Sequence, residues 1–488
     1  MDIQTLLSFE WGMMAPEFTI LIVGILLSLL DLFGKDTWKK SLPWLAVGGV
    51  GVAIIFLLFQ YGHGDISILG NTYVFDSFAF YFKLILLIAT LLILLMVISR
   101  TVQQEVRDRG EYLYLLLAAL LGGMMVASGG DLISLFVGLE LLSLSSYIMV
   151  GLRKRDVRSS EGAMKYLING SIATAFTLFG MSYVFGLTGS TKLVDIAREM
   201  SGSLGSGEPV AIIGFIIMFV GLAFKISTVP FHMWTPDVYE GAVTPVSAFL
   251  SVVSKSAGFI IIVRIFWGIF GNATFGGSDT LFATMIDFIA VLAFLTMFIG
   301  NLVALRQRNM KRLLAYSSIG HAGYILIPLV SLTPVSLENI WFYLLAYAFM
   351  TIGAFMVIYI LEQQKQSEDI SIFTGLYRES PALAIIMTIF LASLAGIPGT
   401  AGFIGKFNIF VGAVAADPAQ YILAGTMAVM TVVSYIYYFN IMVQMYIRKP
   451  QLEGTTKIAR LQSVPLILCV AGTIGLGVFP FIALNFFH

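Results

Sequence analysis

The feature that most constrains the fold of this chain is a succession of apolar segments, each about as long as a bilayer is thick. A helix needs about 20 predominantly apolar residues to cross the hydrocarbon core of a membrane. The expected segments are 16–33, 42–61, 77–99, 112–128, 131–152, 162–188, 209–230, 243–268, 280–303, 313–331, 337–361, 382–412, 419–446 and 462–487. The sequence therefore predicts an all-α integral membrane protein of about 14 transmembrane helices, numbered here as spans 1 to 14.

Composition excludes a soluble fold. Hydrophobic residues make up 58% of the chain and charged residues only 11%, whereas soluble domains are about a quarter charged. The formal net charge is zero, so nothing favours nucleic acid as a partner. The single cysteine, Cys469, excludes an intrachain disulfide and a Cys-based metal cluster. The N-terminus lacks a basic region and a small-residue cleavage site, so we expect the first helix to be retained.

Basic residues in the loops predict the orientation of the chain, because Lys and Arg concentrate in cytoplasmic loops. The loops after spans 1, 3, 5, 9, 11 and 13 contain 20 of the 28 Lys and Arg residues. The opposite loops contain only Lys192 and Arg198. Both termini are therefore expected to face outward.

Charged residues inside the apolar segments are the strongest functional signal. A charge near the bilayer centre costs about 2.5–3.5 kcal/mol on insertion scales, so it usually pairs or serves ion transfer. Such residues lie mid-span or beside a helix break at Glu140, Lys225, Lys255 and Lys406. Burial disfavours the charged form of a lysine and a nearby carboxylate favours it, so a change of pairing loads or releases a proton. We interpret these four residues as candidate members of a charge relay.

Other titratable residues leave two readings open. Lys165 lies about one turn into its span, where it either joins the relay or extends to the cytoplasmic interface. His232 and His321 are either structural hydrogen-bonding groups or relay members that titrate near neutral pH. Lys83 and Arg264 lie toward span ends, where we expect them to reach headgroups or anchor the interface.

Two spans are predicted to be broken. Pro230 interrupts the helix of span 7 five residues after Lys225. Pro398 and its neighbouring glycines interrupt the helix of span 12 before Lys406. In lipid, the freed backbone groups are tolerated only inside protein or around water. We therefore expect a hydrated pocket beside each of the two lysines.

The positions of the breaks predict an internal repeat. Each break falls in the fourth helix of a five-helix unit, 112–268 (spans 4–8) and 280–446 (spans 9–13). Five crossings are an odd number, so the second unit points in the opposite direction, and broken helices at matching positions are typical of inverted repeats in transporters. An N-terminal three-helix segment, 1–111, and a C-terminal helix within 447–488 complete the chain.

Three segments of the sequence resemble a known family. They are FKISTVPFHMWTPDVYEGAVTPVSAFLSVVSKSAGF, NMKRLLAYSSIGHAGY and SLAGIPGTAGFIGKF. They look like the hallmark segments of the antiporter-like subunits shared by respiratory complex I and multisubunit cation/proton antiporters. Over nearly its whole length the chain most resembles the subunit N group of bacterial NADH–quinone oxidoreductase, which also matches the early segment MAPEFTILIVGILLSLLDLF.

This resemblance implies a proton-translocating membrane-arm subunit of an enzyme complex in the bacterial plasma membrane. It implies that Glu140 and Lys225 form an ion pair, that Lys255 is central and that Lys406 lies in the exit half-channel, and it adds support for Lys165. It implies no redox cofactor in this chain. FMN, iron–sulfur clusters, NADH and quinone belong to partner subunits, and the direct partners are neighbouring membrane-arm subunits and lipid.

Two other functions stay open on the sequence. A subunit of a multisubunit cation/proton antiporter uses similar chemistry. Co-purification with iron–sulfur subunits would indicate the oxidoreductase, and co-purification with small membrane subunits alone would indicate the antiporter. A scaffold without conduction predicts that neutralising Lys225 or Lys406 leaves proton pumping intact.

Overall fold

The fold is a bundle of membrane-spanning helices, given by a computed structural model that describes residues 9–34, 36–39, 41–98, 109–201, 207–270, 279–333, 335–449 and 458–484. Some basic residues of the predicted cytoplasmic loops lie outside the described residues, namely Lys35, Lys40, Arg100, Arg107 and Lys457. Thirteen described helices are long and apolar enough to cross a membrane, and two shorter apolar helices follow each other as one broken span. The prediction of about fourteen spans is confirmed.

The observed boundaries agree with the expected ones to within a few residues. The helices of spans 1 to 7 are Ala15–Phe33, Leu42–Phe59, Ser77–Val97, Arg109–Ala127, Leu132–Val150, Val157–Thr188 and Glu208–Lys225. Those of spans 8 to 14 are Thr244–Phe249 with Leu250–Ser254 and Lys255–Phe270, Asp279–Ala304, Met310–Ser331, Ser336–Lys365, Pro381–Ala395 with Ala401–Ala415, Tyr421–Tyr446 and Arg460–Val478. Shorter helices are Trp11–Met14, Asp36–Lys39, Leu193–Ser201, Trp234–Gly241, Ile370–Phe373, Leu376–Glu379 and Pro480–Ala483. Strands β1 (Ile66–Ile68) and β2 (Tyr73–Phe75) form an antiparallel hairpin.

Spans 8, 10 and 11 form the centre of the bundle, where the other helices enclose them almost completely. Spans 1, 2, 6 and 13 present large apolar side chains outward, including Ile22, Phe59, Phe179 and Ile436. Small residues allow close packing of helices in lipid. A Cβ on Gly180 of span 6, for example, would lie 2.3 Å from the backbone nitrogen of Met218 in span 7. The interior of the bundle is therefore shielded from lipid.

Both predicted breaks are present. Span 7 ends as a helix at Lys225, and a short helix beginning at Trp234 continues to the cytoplasmic side. Span 12 stops at Ala395, and Gly396 adopts a left-handed conformation with φ of 87° before the helix resumes at Ala401. Glycine takes this conformation without the steric cost that a Cβ imposes. Each break ends a helix inside the bundle and leaves its last carbonyl groups free to accept hydrogen bonds.

Span 8 contains an irregularity that the sequence did not predict. The five residues Leu250–Ser254 form a π-helical turn, and the ordinary α-helix begins again at Lys255. Single π-helical turns inside α-helices are frequent at functional sites. The turn places the predicted central lysine at a change of helical register.

Two matching backbone bridges occur in the predicted five-helix units. Asp131, whose carboxylate caps the start of span 5, is bridged to Lys192 in the segment after span 6. Asn309, whose side chain caps the start of span 10, is bridged to Asp369 in the segment after span 11. Because five spans separate the two bridges, they lie on opposite sides of the membrane.

Ion pairs group the loops as the orientation prediction requires. On one side, Arg158 after span 5, Glu240 after span 7 and Arg312 before span 10 contact each other, with Arg158 and Glu240 joined at 3.3 Å and Arg312 and Glu240 at 2.9 Å. This side is the predicted cytoplasmic side. On the other side, β2 at the start of span 3 is bridged to Gly129 after span 4.

Candidate functional site

Four basic side chains lie buried on four different spans. Lys225, Lys255, His321 and Lys406 belong to spans 7, 8, 10 and 12, and none is more than 6% exposed. A buried charge or imidazole in a membrane protein needs polar groups around it. The hydroxyl groups of Ser, Thr and Tyr side chains supply most of them. The structure thus brings four of the predicted relay residues into the interior.

Glu140 and Lys225 do not form the direct ion pair that the family resemblance implied. Glu140 is half-buried on span 5 and accepts a hydrogen bond of 2.7 Å from Thr174. The Lys225 ammonium donates to Ser143, at 3.1 Å, and to the Tyr166 hydroxyl, at 3.4 Å. Ser143 follows Glu140 by one helical turn and occupies the position nearest the ammonium, so the two charges interact without touching. The expected direct pair is therefore wrong for this conformation.

One tyrosine lies between Lys225 and span 8. The Tyr166 hydroxyl that accepts from Lys225 lies near the side chain of Ser254, the residue before Lys255. The Lys255 ammonium itself donates to the Ser318 carbonyl at 3.0 Å and contacts the Ser318 hydroxyl. Hydroxyl groups therefore extend from Lys225 past Lys255 into span 10.

His321 continues this polar line. Its Nδ1 lies 2.7 Å from the Tyr343 hydroxyl and its Nε2 lies 3.3 Å from the Tyr438 hydroxyl. Tyr438 also shares a hydrogen bond of 2.5 Å with Ser317, which neighbours the Ser318 that contacts Lys255. A neutral imidazole has one donor and one acceptor, so it can join two tyrosine hydroxyls and exchange a proton with either. His321 lies within the predicted relay.

Lys406 binds the carbonyl groups that the break in span 12 releases. Its ammonium donates to Leu394 at 2.9 Å and to Ala395 at 3.0 Å, and lies 5.1 Å from the centre of the Tyr324 ring. The C-terminal end of a helix carries partial negative charge and favours cations. Among the described residues, no carboxylate forms an ion pair with Lys406 or Lys255. Backbone dipoles take the place of a counter-ion.

Lys165 lies at the cytoplasmic edge rather than in the interior. Its side chain is 41% exposed and its ammonium contacts Glu161 and Asp237, both at 2.6 Å. Asp237 is shared with Arg312, also at 2.6 Å. Burial raises the pKa of Asp237, but hydrogen bonds from Lys165 and Arg312 outweigh burial and leave this pKa below its ordinary value. This geometry favours the interpretation in which Lys165 extends to the cytoplasmic interface.

His232 is buried beside the break in span 7, but it does not contact any of the relay lysines. Its Nδ1 has no hydrogen-bond partner among the described residues. Throughout the residues that the structure describes, no group of three or more His, Cys, Asp or Glu side chains is placed to hold a metal ion. The structure therefore brings only one of the two candidate histidines, His321, into the polar line.

A water-accessible cavity of 760 Å³ opens on the cytoplasmic side and reaches Glu362, near the end of span 11. One Glu362 oxygen lies 3.4 Å from Lys311 and 3.7 Å from Arg153, while the other accepts a hydrogen bond from Thr244. Lys311 is fully buried and also pairs with Glu368 at 2.6 Å. From the sequence alone, Lys311 is expected in a loop after span 9, and nothing marks Glu362. Both lie near span ends in the sequence, where side chains usually reach water.

Hydroxyl groups extend from Glu362 along span 8 toward Lys255. They repeat every three or four residues at Thr244, Ser247, Ser251 and Ser254, and all four are buried. This spacing places them on neighbouring turns of a helix. Ser251 shares a hydrogen bond of 2.9 Å with the hydroxyl of Tyr347 on span 11. Tyr347 also lies near Ser318, the partner of Lys255.

Lys83 does not reach the lipid headgroups, so this expectation was wrong, whereas nothing tests the interfacial expectation for Arg264. Lys83 is fully buried and pairs with Glu17 of span 1 at 2.5 Å, and it donates to the Tyr73 hydroxyl at 2.8 Å. Arg264 pairs with Asp76 at 2.5 Å. The three N-terminal spans and their hairpin cover these side chains, and neither Glu17 nor this cover was evident from the apolar pattern.

The polar line lies within the region that a family model matches. The family model described as NADH:quinone oxidoreductase/Mrp antiporter, TM matches residues 129–431, which include every relay candidate. The protein named NADH-quinone oxidoreductase subunit N from Anoxybacillus flavithermus is 53% identical over 490 residues and covers 100% of this chain and 98% of its own length. This chain belongs to the family of NADH-quinone oxidoreductase subunit N. A second relative of the same name, from a Geobacillus species, is 51% identical and covers 100% of both chains.

Solved structures agree with the family assignment. A chain of respiratory complex I from Thermus thermophilus superposes with a TM-score of 0.80 at 29% identity, covering 96% of this chain and 98% of that chain. A chain of the Mrp complex from a Dietzia species gives a TM-score of 0.84 at 18% identity, covering 98% of this chain and 96% of that chain. The second match shows a common fold alone. The predicted multi-pass plasma-membrane location is confirmed.

Proposed function

We propose that this chain is a proton-translocating membrane-arm subunit of NADH–quinone oxidoreductase. The observation that carries the proposal is the set of buried Lys225, Lys255, His321 and Lys406 in a chain of the subunit N family. The first three contact side-chain hydroxyls, and Lys406 binds backbone carbonyls. NADH oxidation and quinone reduction take place in partner subunits, which hold the FMN and the iron–sulfur clusters. Neighbouring antiporter-like and small membrane subunits are the direct partners, and this chain contributes to the complex as a translocase without a redox centre of its own.

Two inverted five-helix units, 112–268 and 280–446, provide the frame for this function. The matching bridges of Asp131 with Lys192 and of Asn309 with Asp369 support the repeat, because they occur at equivalent positions on opposite sides of the membrane. In such a frame, one broken helix opens toward each side. The N-terminal segment, 1–111, and the last helix, within 447–488, pack around the two units.

The relay runs from Glu140 through Lys225 and Lys255 to His321 and Lys406. Each lysine holds a proton against hydroxyl or carbonyl dipoles rather than against a touching carboxylate. At an effective dielectric of about 20, two unit charges 4 Å apart interact by about 4 kcal/mol. A small movement of Glu140 relative to Lys225 therefore changes proton affinity enough to send the proton onward.

Protons enter this relay from the cytoplasm through Glu362. The cavity of 760 Å³ gives water access to its carboxylate, and the hydroxyls of Thr244, Ser247 and Ser251 lead from there to Lys255. Lys311 and Arg153 favour the charged form of Glu362, whereas its burial favours the protonated form, so the carboxyl group is suited to take up a proton and release it again. Lys165 shapes the same cytoplasmic face through Asp237, and His232 lines the break beside Lys225.

Lys406 delivers protons to the outer half of the bundle. It lies past the break in span 12, which runs outward from the cytoplasmic side. Farther along the same helix, the Asn408 carbonyl accepts a hydrogen bond of 3.4 Å from Asn339, which is buried near the outer end of span 11. These polar groups continue the line from Lys406 toward the outer surface.

The antiporter alternative fits less well. The resemblance to the Mrp chain supports only the shared fold, whereas relatives of more than half identical sequence carry the subunit N name. Purification of the native assembly separates the two functions, because only the oxidoreductase contains iron–sulfur subunits.

The test of the proposed function is NADH-driven proton pumping in membranes that carry Lys225→Ala. We expect assembled complex with pumping lost and quinone reduction slowed. Lys192→Ala, at an outer loop away from the relay, is the matched control and is expected to pump normally. Normal pumping and normal turnover in assembled Lys225→Ala would reduce Lys225 to a structural charge and refute the relay.

A further inference from the structure

A second cavity, of 850 Å³, opens on the cytoplasmic side between the ends of spans 9 and 13. It adjoins the first cavity, with which it shares Arg308 and Asp369, but it does not include Glu362 or any of the relay lysines. Its walls carry four basic side chains, namely Arg306, Arg308, Arg448 and Lys449. All four are exposed or partly exposed toward the cavity mouth.

Most of these basic residues differ from the paired ones around the first cavity, and Arg308 lines both cavities. Arg153, Arg158, Lys311 and Arg312 each pair with a carboxylate around the first cavity. The four basic residues of the second cavity have no ion-pair partner in the part of the chain that the structure describes. Asp369 is the one acidic residue in the wall, and its carboxylate accepts a hydrogen bond from the Ser371 backbone at 2.8 Å. The cavity thus carries an uncompensated positive charge.

The same cavity offers hydrogen-bonding groups and an apolar approach. Ser371, Thr374, Asn440 and Gln444 line its polar wall. Immediately toward the membrane, spans 9 and 13 expose apolar side chains, including Leu302, Leu305, Val443 and Ile447. A molecule that fills this site therefore meets positive charge at the cytoplasmic end and hydrocarbon surface along the helices.

We propose that this cavity binds the phosphate headgroup of an anionic phospholipid from the cytoplasmic leaflet. Arginine and lysine recognise phosphate through charge and multiple N–H donors. Basic pockets between transmembrane helices on the cytoplasmic side are suited to such headgroups. The apolar surfaces of spans 9 and 13 take the acyl chains, which a free phosphate lacks. The site therefore selects lipid over a soluble anion.

A photoactivatable phosphatidylglycerol tests the site in the purified, assembled complex in phosphatidylcholine vesicles. We expect it to label peptides at the ends of spans 9 and 13, and unlabelled phosphatidylglycerol to prevent the labelling. Arg306→Gln with Arg448→Gln is expected to weaken labelling about 30-fold, because each basic residue contributes about fivefold near an anionic lipid. Arg155→Gln with Arg378→Gln removes the same charge elsewhere on this face and should leave labelling unchanged.

Several results would overturn the proposal. Equally strong labelling of the same peptides by a photoactivatable phosphatidylcholine means that the cavity does not select an anionic headgroup. If inorganic phosphate alone prevents the labelling, the cavity binds a soluble anion. Absence of labelling in the wild-type complex, with the same peptides crosslinked to a neighbouring subunit, means that protein covers the cavity.

Discussion

Gly396 and Lys406 touch across the break in span 12, where a Cβ on Gly396 would lie 2.9 Å from Lys406 Cδ. Gly396 also has a φ of 87°, which a side chain disfavours. We predict that Gly396→Ala pushes the lysine off the Leu394 and Ala395 carbonyls. The proton-pumping rate of the assembled complex should fall by at least about tenfold, since hydrogen bonds to a charged group contribute about 1.5–3 kcal/mol each.

Gly399 provides a matched control, because its φ is 88° but nothing lies within 4 Å of the position of its Cβ. Gly399→Ala suffers the same backbone strain without moving Lys406. Equal pumping rates in the two assembled variants would mean that strain, and not the position of the lysine, limits transfer.

We predict that Glu362→Gln slows proton uptake from the cytoplasm. The amide still hydrogen-bonds Thr244 but cannot carry a proton between the cavity and the span 8 hydroxyls. Steady-state pumping should fall, and the loss should be greatest at high pH, where protons are scarce. Glu379→Gln breaks the pair with Lys365 on the same face, at 2.9 Å, and should pump as the wild type does. A wild-type rate in assembled Glu362→Gln would exclude this route.

The Glu17–Lys83 pair is predicted to be structural. Glu17→Gln leaves a fully buried ammonium without its counter-charge, and such losses cost about 3–5 kcal/mol. The thermal midpoint of the purified complex should fall markedly. Glu17→Leu with Lys83→Met removes both charges and should restore most of the stability, because apolar replacements of buried pairs are often neutral. Loss of pumping in this stable double variant would instead place the pair in the relay.

The ion pairs of Asp237 predict an acid-sensitive contribution to stability. Its pKa in the folded protein lies below the ordinary value, so the stabilisation is present above the ordinary pKa of about 4 and is lost as the pH falls through the folded value. We expect the thermal midpoint of wild type to exceed that of Asp237→Asn near neutral pH and the difference to shrink below about pH 4. Lys165→Gln removes one partner, so the loss should occur at higher pH. A difference that is constant across this range would contradict the assignment.

The sequence was sufficient for the spans, the breaks and the buried lysines because these depend on local features. Apolar length decides whether a helix crosses the membrane, and Pro230 and Pro398 interrupt their helices wherever they lie. Lys255 is so far from either end of its span that its side chain cannot reach either membrane surface. Membership in the family then followed from short segments around these same residues.

Features that depend on packing between distant helices were not predictable. Lys311 and Glu362 lie near span ends and read as interfacial, but neighbouring loops enclose them. Lys83 is likewise covered by span 1, which no local pattern reveals. The contact of Lys225 with Ser143 rather than Glu140 depends on a difference of one helical turn. The π-helical turn before Lys255 has no signature in the sequence that we can identify.

The two halves of span 8 on either side of that π-helical turn differ in the polarity of their side chains. An extra residue in a turn rotates the following side chains by about 100° relative to those before it. Hydroxyls lie before and within the turn and at Ser256, but from Ala257 to Val263 the helix carries only apolar side chains and one glycine, all buried. The stretch of span 8 that leads outward from Ala257 to Val263 therefore offers no polar side chain to a proton that leaves Lys255. The membrane potential, worth about 2.3 kcal/mol per charge at 100 mV, then acts across this dry stretch without driving a leak.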